Sequence, residues 1–154
     1  MSTIGGCLLT GRITALFTAA LAGALMALQG SLNSALGKLA GLWEATFLVQ
    51  ITGALLTIAL LPLAGNGSLQ KLWSAPWYTW LGGVLGVAII FTVAASIPKV
   101  GVAAATTAII VAQVLTACII DHFGLFGLKP LPFTWWRWVG GAFLAVGGWF
   151  LLRQ

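Results

Sequence analysis

The sequence predicts an all-α integral membrane protein with five transmembrane helices, and three observations carry that prediction. The chain is 60% hydrophobic and 6% charged over 154 residues, with a mean hydropathy of +1.08, whereas a soluble domain is about 45–50% apolar and about 25% charged. The apolar residues fall into five runs, each near the roughly 20 residues a helix needs to cross a hydrocarbon core of about 30 Å. The few charges stand between those runs or at their ends. A soluble globular domain is thereby excluded. Disorder is excluded too, because disordered segments are too polar to bury surface and this chain is the reverse. Helices rather than open strands follow, since a helix satisfies its own backbone in lipid.

The first run covers residues 13–36. Arg12 ahead of it gives it the look of a signal peptide, but the apolar stretch is longer than the about 7–15 residues of a signal core, so it reads as a retained span. The second, 45–63, precedes the Asn66-Gly67 turn signal. The third, 77–97, stops at Ile97-Pro98-Lys99, where a proline that cannot continue a helix interior predicts a tight hairpin into the fourth run, 100–120. Lys129-Pro130-Leu131-Pro132 separates that run from the fifth, 133–152. One domain, 1–154, uses the whole length, with no linker and no low-complexity tract. Trp43, Trp73, Trp77, Trp80, Trp135, Trp136 and Trp138 lie at or near helix starts and Trp149 near the last helix end. That is an interfacial belt at the headgroup level, not a cofactor box. Cys7 and Cys118 give neither a disulfide framework nor metal spacing.

Seven Lys and Arg stand against two Asp and Glu, a formal charge of +5. They are scattered singly, which excludes a nucleic-acid partner and assigns them to the surfaces of a lipid bilayer. Threading five crossings puts Arg12, Lys71, Lys129 and Arg137 on one side and Lys38, Lys99 and Arg153 on the other. A chain of fixed orientation concentrates Lys and Arg in its cytoplasmic loops. Four against three barely specifies which way up the chain inserts. We therefore expect dual topology, with copies pairing head to tail as an antiparallel homodimer; the alternative is that one loop charge outweighs the count.

No nucleophile–base–acid set, metal spacing or phosphate loop is present, so nothing points to an enzyme, a metal or a cofactor. What remains are polar residues inside the spans, which are costly in lipid and usually face a bundle interior or a water-filled cavity. Gln29 and Asn33 are four apart on one face of the first helix. Thr46, Gln50, Gly53 and Thr57 form one stripe on the second, and Thr106 and Gln113 another on the fourth, with Ala103, Ile110 and Ala117 beside them. Gln29, Asn33, Gln50, Thr106 and Gln113 are the expected solute-binding set. The competing reading is that amides and hydroxyls glue helices together, while small residues such as Gly23, Gly30, Gly82, Gly86, Gly141 and Gly148 let them pack closely. That alternative stands level for Gln50 and the threonines, whereas Gln29, Asn33 and Gln113 favour a cavity.

Ionisable residues are few and peripheral. Asp121-His122 closes the fourth helix and Arg137 opens the fifth on the same side, so an Asp121–Arg137 ion pair is expected. Glu44 opens the second helix, near Lys38 and Lys99. A proton-coupled carrier of cations wants a carboxylate whose pKa desolvation can raise. Here Asp121, His122 or Glu44 would have to serve from near the interface.

Leu28-Gln29-Gly30-Ser31-Leu32-Asn33 with Leu36, Gly82-Gly83 with Gly86, Pro98 with Gly101, and Gln113 leading to Ile120-Asp121-His122-Phe123-Gly124-Leu125 resemble the short YdcZ-like family of the drug/metabolite transporter superfamily. The resemblance covers essentially the whole chain; Ala112 departs from it, where a Gly is expected before the amide. It implies a five-helix unit equal to half of a ten-helix transporter fold, completed by antiparallel dimerisation or by a paired homologue, with small organic solutes as cargo. The matched positions are Gln29, Gly30, Asn33, Gln113, Asp121 and His122. The expectation is thus a multi-pass inner-membrane transporter protomer that moves a small polar or cationic solute by alternating access, an uncoupled channel or facilitator and a non-transporting assembly subunit being the alternatives.

Overall fold

A computed structural model describes residues 2–132 and 134–153, with side chains from residue 11 onward. It contains five α-helices: α1 (Ser2–Ala40), α2 (Leu42–Ala64), α3 (Leu81–Val100), α4 (Val102–Phe123) and α5 (Trp135–Leu152). Short 3₁₀ turns at Leu69–Ser74 and Trp77–Trp80 link α2 to α3, and another at Leu125–Gly127 follows α4. Four helical stretches are long and apolar enough to cross a membrane: Gly11–Ala40, Leu42–Ala64, Trp77–Val100 and Val102–Phe123. At a rise of about 1.5 Å per residue the last three measure roughly 33–36 Å, and Gly11–Ala40 about 45 Å, enough to cross with tilt. α5 has 18 residues, or about 27 Å, and its four tryptophans and Arg137 dilute its apolar character. It stands as a further helix beside the four spans. Phe133, the first residue of the predicted fifth span, lies outside the described residues.

Several expected boundaries move. The first helix begins before residue 13, because no residue from Ser2 to Arg12 interrupts it, and Arg12 is carried inside α1. The third begins at Leu81, its tryptophan-rich approach being 3₁₀. The fourth runs on to Phe123. The largest correction concerns Pro98, which does not end the third helix but lies within it. A proline near a helix C-terminus forfeits a single i→i−4 bond, a loss that spanning helices tolerate, as Pro62 shows again near the end of α2. The break between the helices falls instead at Gly101, with φ 85° and ψ 163°. Gly41 between α1 and α2 has nearly the same conformation, φ 105° and ψ 150°, a region open essentially to glycine alone. The two turns share one construction: the amide of Ala45 donates to the Gly41 carbonyl at 3.0 Å, and that of Ala105 to the Gly101 carbonyl at 3.1 Å.

The chain divides into two compact units, one ending at Pro98 and the other starting at Lys99. In the first, burial among the described side chains is confined to one end. Gly30, Asn33 and Ser34 of α1, Ala45 and Thr46 of α2, and Ala94 and Ile97 of α3 are buried, while residues 51–70 are exposed throughout. Gly30 makes the tightest approach: a Cβ there would meet Val93 Cγ1 at 2.9 Å and Ile97 Cδ1 at 3.3 Å. Trp43 stacks on Phe91 with ring centroids 4.6 Å apart, joining α2 to α3 at the same end. In the second unit α5 lies against α4, where Gly148 faces Val111 and Thr107.

Candidate functional site

Each predicted site residue falls within one unit. On α1, Asn33 is buried but Gln29 is exposed, although four residues of helix turn them only about 40° apart. The neighbouring helices cover an arc that includes Gly30 and Asn33 and stops short of Gln29. On α2, Gln50 is half-buried, and its Nε2 lies 3.6 Å from where a Cβ of Gly86 would stand. The amide therefore rests on α3 at the point where that helix presents bare backbone. Beyond it the seam opens, since added methyls at Gly53, Gly82 and Gly83 would each meet nothing within 4 Å.

On α4, Thr106 is half-buried and Gln113 exposed. α5 packs on the face of Thr107 and Val111. At about 100° per residue Gln113 points some 160° away from Val111, so α5 leaves the polar stripe of α4 uncovered. No hydrogen bond among the described residues involves the side-chain amides of Gln29, Asn33, Gln50 or Gln113.

The threonines resolve differently. Thr46 donates to the Leu42 carbonyl at 2.7 Å and Thr57 to that of Gly53 at 2.8 Å. Thr52, Thr92 and Thr107 likewise bond backward along their own helices. A hydroxyl satisfied this way neither bridges helices nor reaches toward a solute, so the α2 stripe reduces to Gln50. Of the glycines, Gly30 and Gly148 sit in close helix contacts and Gly86 beneath Gln50, whereas Gly23, Gly82 and Gly141 face open space within the chain.

The ion pair is present. Arg137 Nη2 donates to Asp121 Oδ2 at 3.1 Å, the two side chains being 28% and 38% exposed. Asp121 also anchors the connection, its carbonyl accepting from the Leu131 amide at 2.8 Å. Gly124, at φ 59°, sets the chain on that path; a Cβ there would meet the Leu128 carbonyl at 2.9 Å. Arg137 Nη1 is buried without a partner. His122, adjacent in sequence, stands edge-on to Phe123 with centroids 5.0 Å apart. Glu44 is exposed, and its carboxylate lies over Gly41 at the start of α2, where a negative charge is favoured by the helix dipole. Arg153 lies 3.9 Å from the Trp149 ring centroid, a cation–π contact that sequence reasoning missed, although the i, i+4 spacing at a helix end could have signalled it.

A family profile described as "Putative inner membrane exporter, YdcZ" matches residues 14–150. The chain belongs to this family. The match takes in all five helices and every predicted site residue, and it places the chain with membrane transporters rather than enzymes. Searches of curated proteins and of solved structures give no significant match.

Proposed function

We propose that the chain is one protomer of a transporter that moves a small polar organic solute across the inner membrane by alternating access, with a second copy inserted in the opposite sense completing the pathway. The observation that carries this reading is the exposure of Gln29 and Gln113 on helices of membrane length. Amides at such positions are costly against lipid and call for a polar cavity. Two further features support it. The near balance of basic residues across five crossings gives insertion little direction, and an antiparallel pair supplies the inverted symmetry from which many carriers derive two access states. α5, covering the face of α4 away from Gln113, would then make the fifth crossing at the periphery.

The test is ligand-dependent stabilisation of the purified protein across a panel of amines, sugars and amino acids. A bound solute raises the melting temperature by an amount that grows with the logarithm of its concentration relative to its dissociation constant. Gln29→Ala and Gln113→Ala are each expected to weaken it about ten-fold, a loss of about 1.4 kcal/mol; solutes that stabilise both variants as well as the parent would place the site elsewhere. Orientation is tested separately, with Cys7 and Cys118 replaced. Cysteines introduced at Lys71 and Lys99 should both be labelled from outside intact cells, and labelling of only one refutes the inverted pair.

A further inference from the structure

The sequence holds two acidic side chains, and both lie at helix ends. Asp121 lies in the last turn of α4 and its charge is matched by Arg137 at 3.1 Å. Glu44 lies in the first turn of α2, folded over Gly41. α1, which carries Gln29 and Asn33, contains no acidic residue. Apart from Arg12, which α1 carries, the polar side chains away from the helix ends that meet open space or lie along a seam are neutral: Gln29 and Gln113 exposed, Gln50 half-buried beside Gly86. The charged group that faces Asp121 is Arg137.

An organic cation drawn into a low-dielectric passage needs a countercharge there. A carboxylate that trades protons for such a cation must also be unpaired in at least one state. Asp121 is paired with Arg137, and Glu44, though exposed, stands in the first turn of α2 rather than inside a span, so neither supplies that countercharge. Amides, by contrast, offer two N–H donors and a carbonyl acceptor each, matching hydroxyl and amide groups without charge. We infer that the solute is uncharged, a polyhydroxylated or amide-bearing molecule, and that its passage is not exchanged for protons at either carboxylate. This rests on the transport reading above and narrows it to one class of cargo.

Proteoliposomes holding the full chain test it with two probes, a mixture of labelled pentitols and hexitols and the lipophilic cation tetraphenylphosphonium. Polyol counterflow should be saturable and unchanged within about two-fold by an imposed pH gradient, by Glu44→Gln, and by Asp121→Asn when normalised to folded protein. The cation should not accumulate beyond protein-free vesicles under any gradient. Proton-driven accumulation of the cation that Glu44→Gln or Asp121→Asn abolishes would overturn the inference while leaving the transport reading intact. If the wild type moves neither probe, both fall together.

Discussion

At the α1–α2 corner the chain reverses through one residue, Gly41, and small side chains near it, Ser34 and Ala45, are buried, while Gly30 closes on Val93 and Ile97 of α3. At the α4–α5 corner a longer connection lies between Phe123 and Trp135, and the ends are fastened by charge, with Arg137 on Asp121 and the Leu131 amide on the Asp121 carbonyl. The difference shows two ways of holding helices together where lipid removes the usual hydrophobic drive. Closeness works when both surfaces are small enough for backbones to approach. A long connection leaves the helix ends free to part, and a directional contact is needed to fix them. The first corner is sensitive to volume and backbone conformation, the second to charge.

Substitutions at Gly41 break the comparison hardest. Gly41→Ala is expected to cost roughly 1–3 kcal/mol from backbone strain, and the new methyl also collides with the Glu44 carboxylate. Gly101→Ala carries the same strain but meets no neighbour within 4 Å, so its loss of thermal stability in detergent should be the smaller. Next comes the ion pair. Asp121→Asn and Arg137→Gln should each destabilise, with a coupling on the order of 1 kcal/mol in a double-mutant cycle, since the pair is partly exposed. Additive losses would mean the clasp is not an interaction between these two groups. The smallest effects separate two glycines of α1. Gly30→Ala should destabilise by about 1 kcal/mol through overpacking against Val93, while Gly23→Ala, with open space around it, should be neutral or stabilising by up to about 1 kcal/mol through helix propensity. Equal effects at both positions would show that the packing at Gly30 is not specific.

Much of this architecture was legible along the chain. The five helices were legible as apolar runs, four of them long and apolar enough to cross a membrane, and the Trp73–Trp80 and Trp135–Trp138 clusters mark helix starts because indole rings favour the headgroup level. The Asp121–Arg137 pair could be anticipated because its members flank one connection, the only way two charges so far apart in sequence are returned to the same depth. The break at Gly101 was misread as a property of Pro98. Proline is the louder signal for a break, yet the junction here is made at positive φ, which proline forbids and glycine allows.

Sequence by itself determined the solvent, the helices and the inventory of polar groups, because each depends on composition and spacing along one segment. Only tertiary structure decided how those groups are used. Gln29 and Asn33 share a helix face, but one is open and the other covered, since burial depends on the arc a neighbouring helix shadows and not on periodicity. Thr46 and Thr57 have the same spacing as Gln50, but their short hydroxyls reach their own backbone and the longer amide does not, which leaves Gln50 alone at the seam with Gly86. The two carboxylates, ambiguous as residues, were separated by the fold: Asp121 is spent on Arg137, Glu44 stands exposed at a helix start, and the amides left for a solute are neutral.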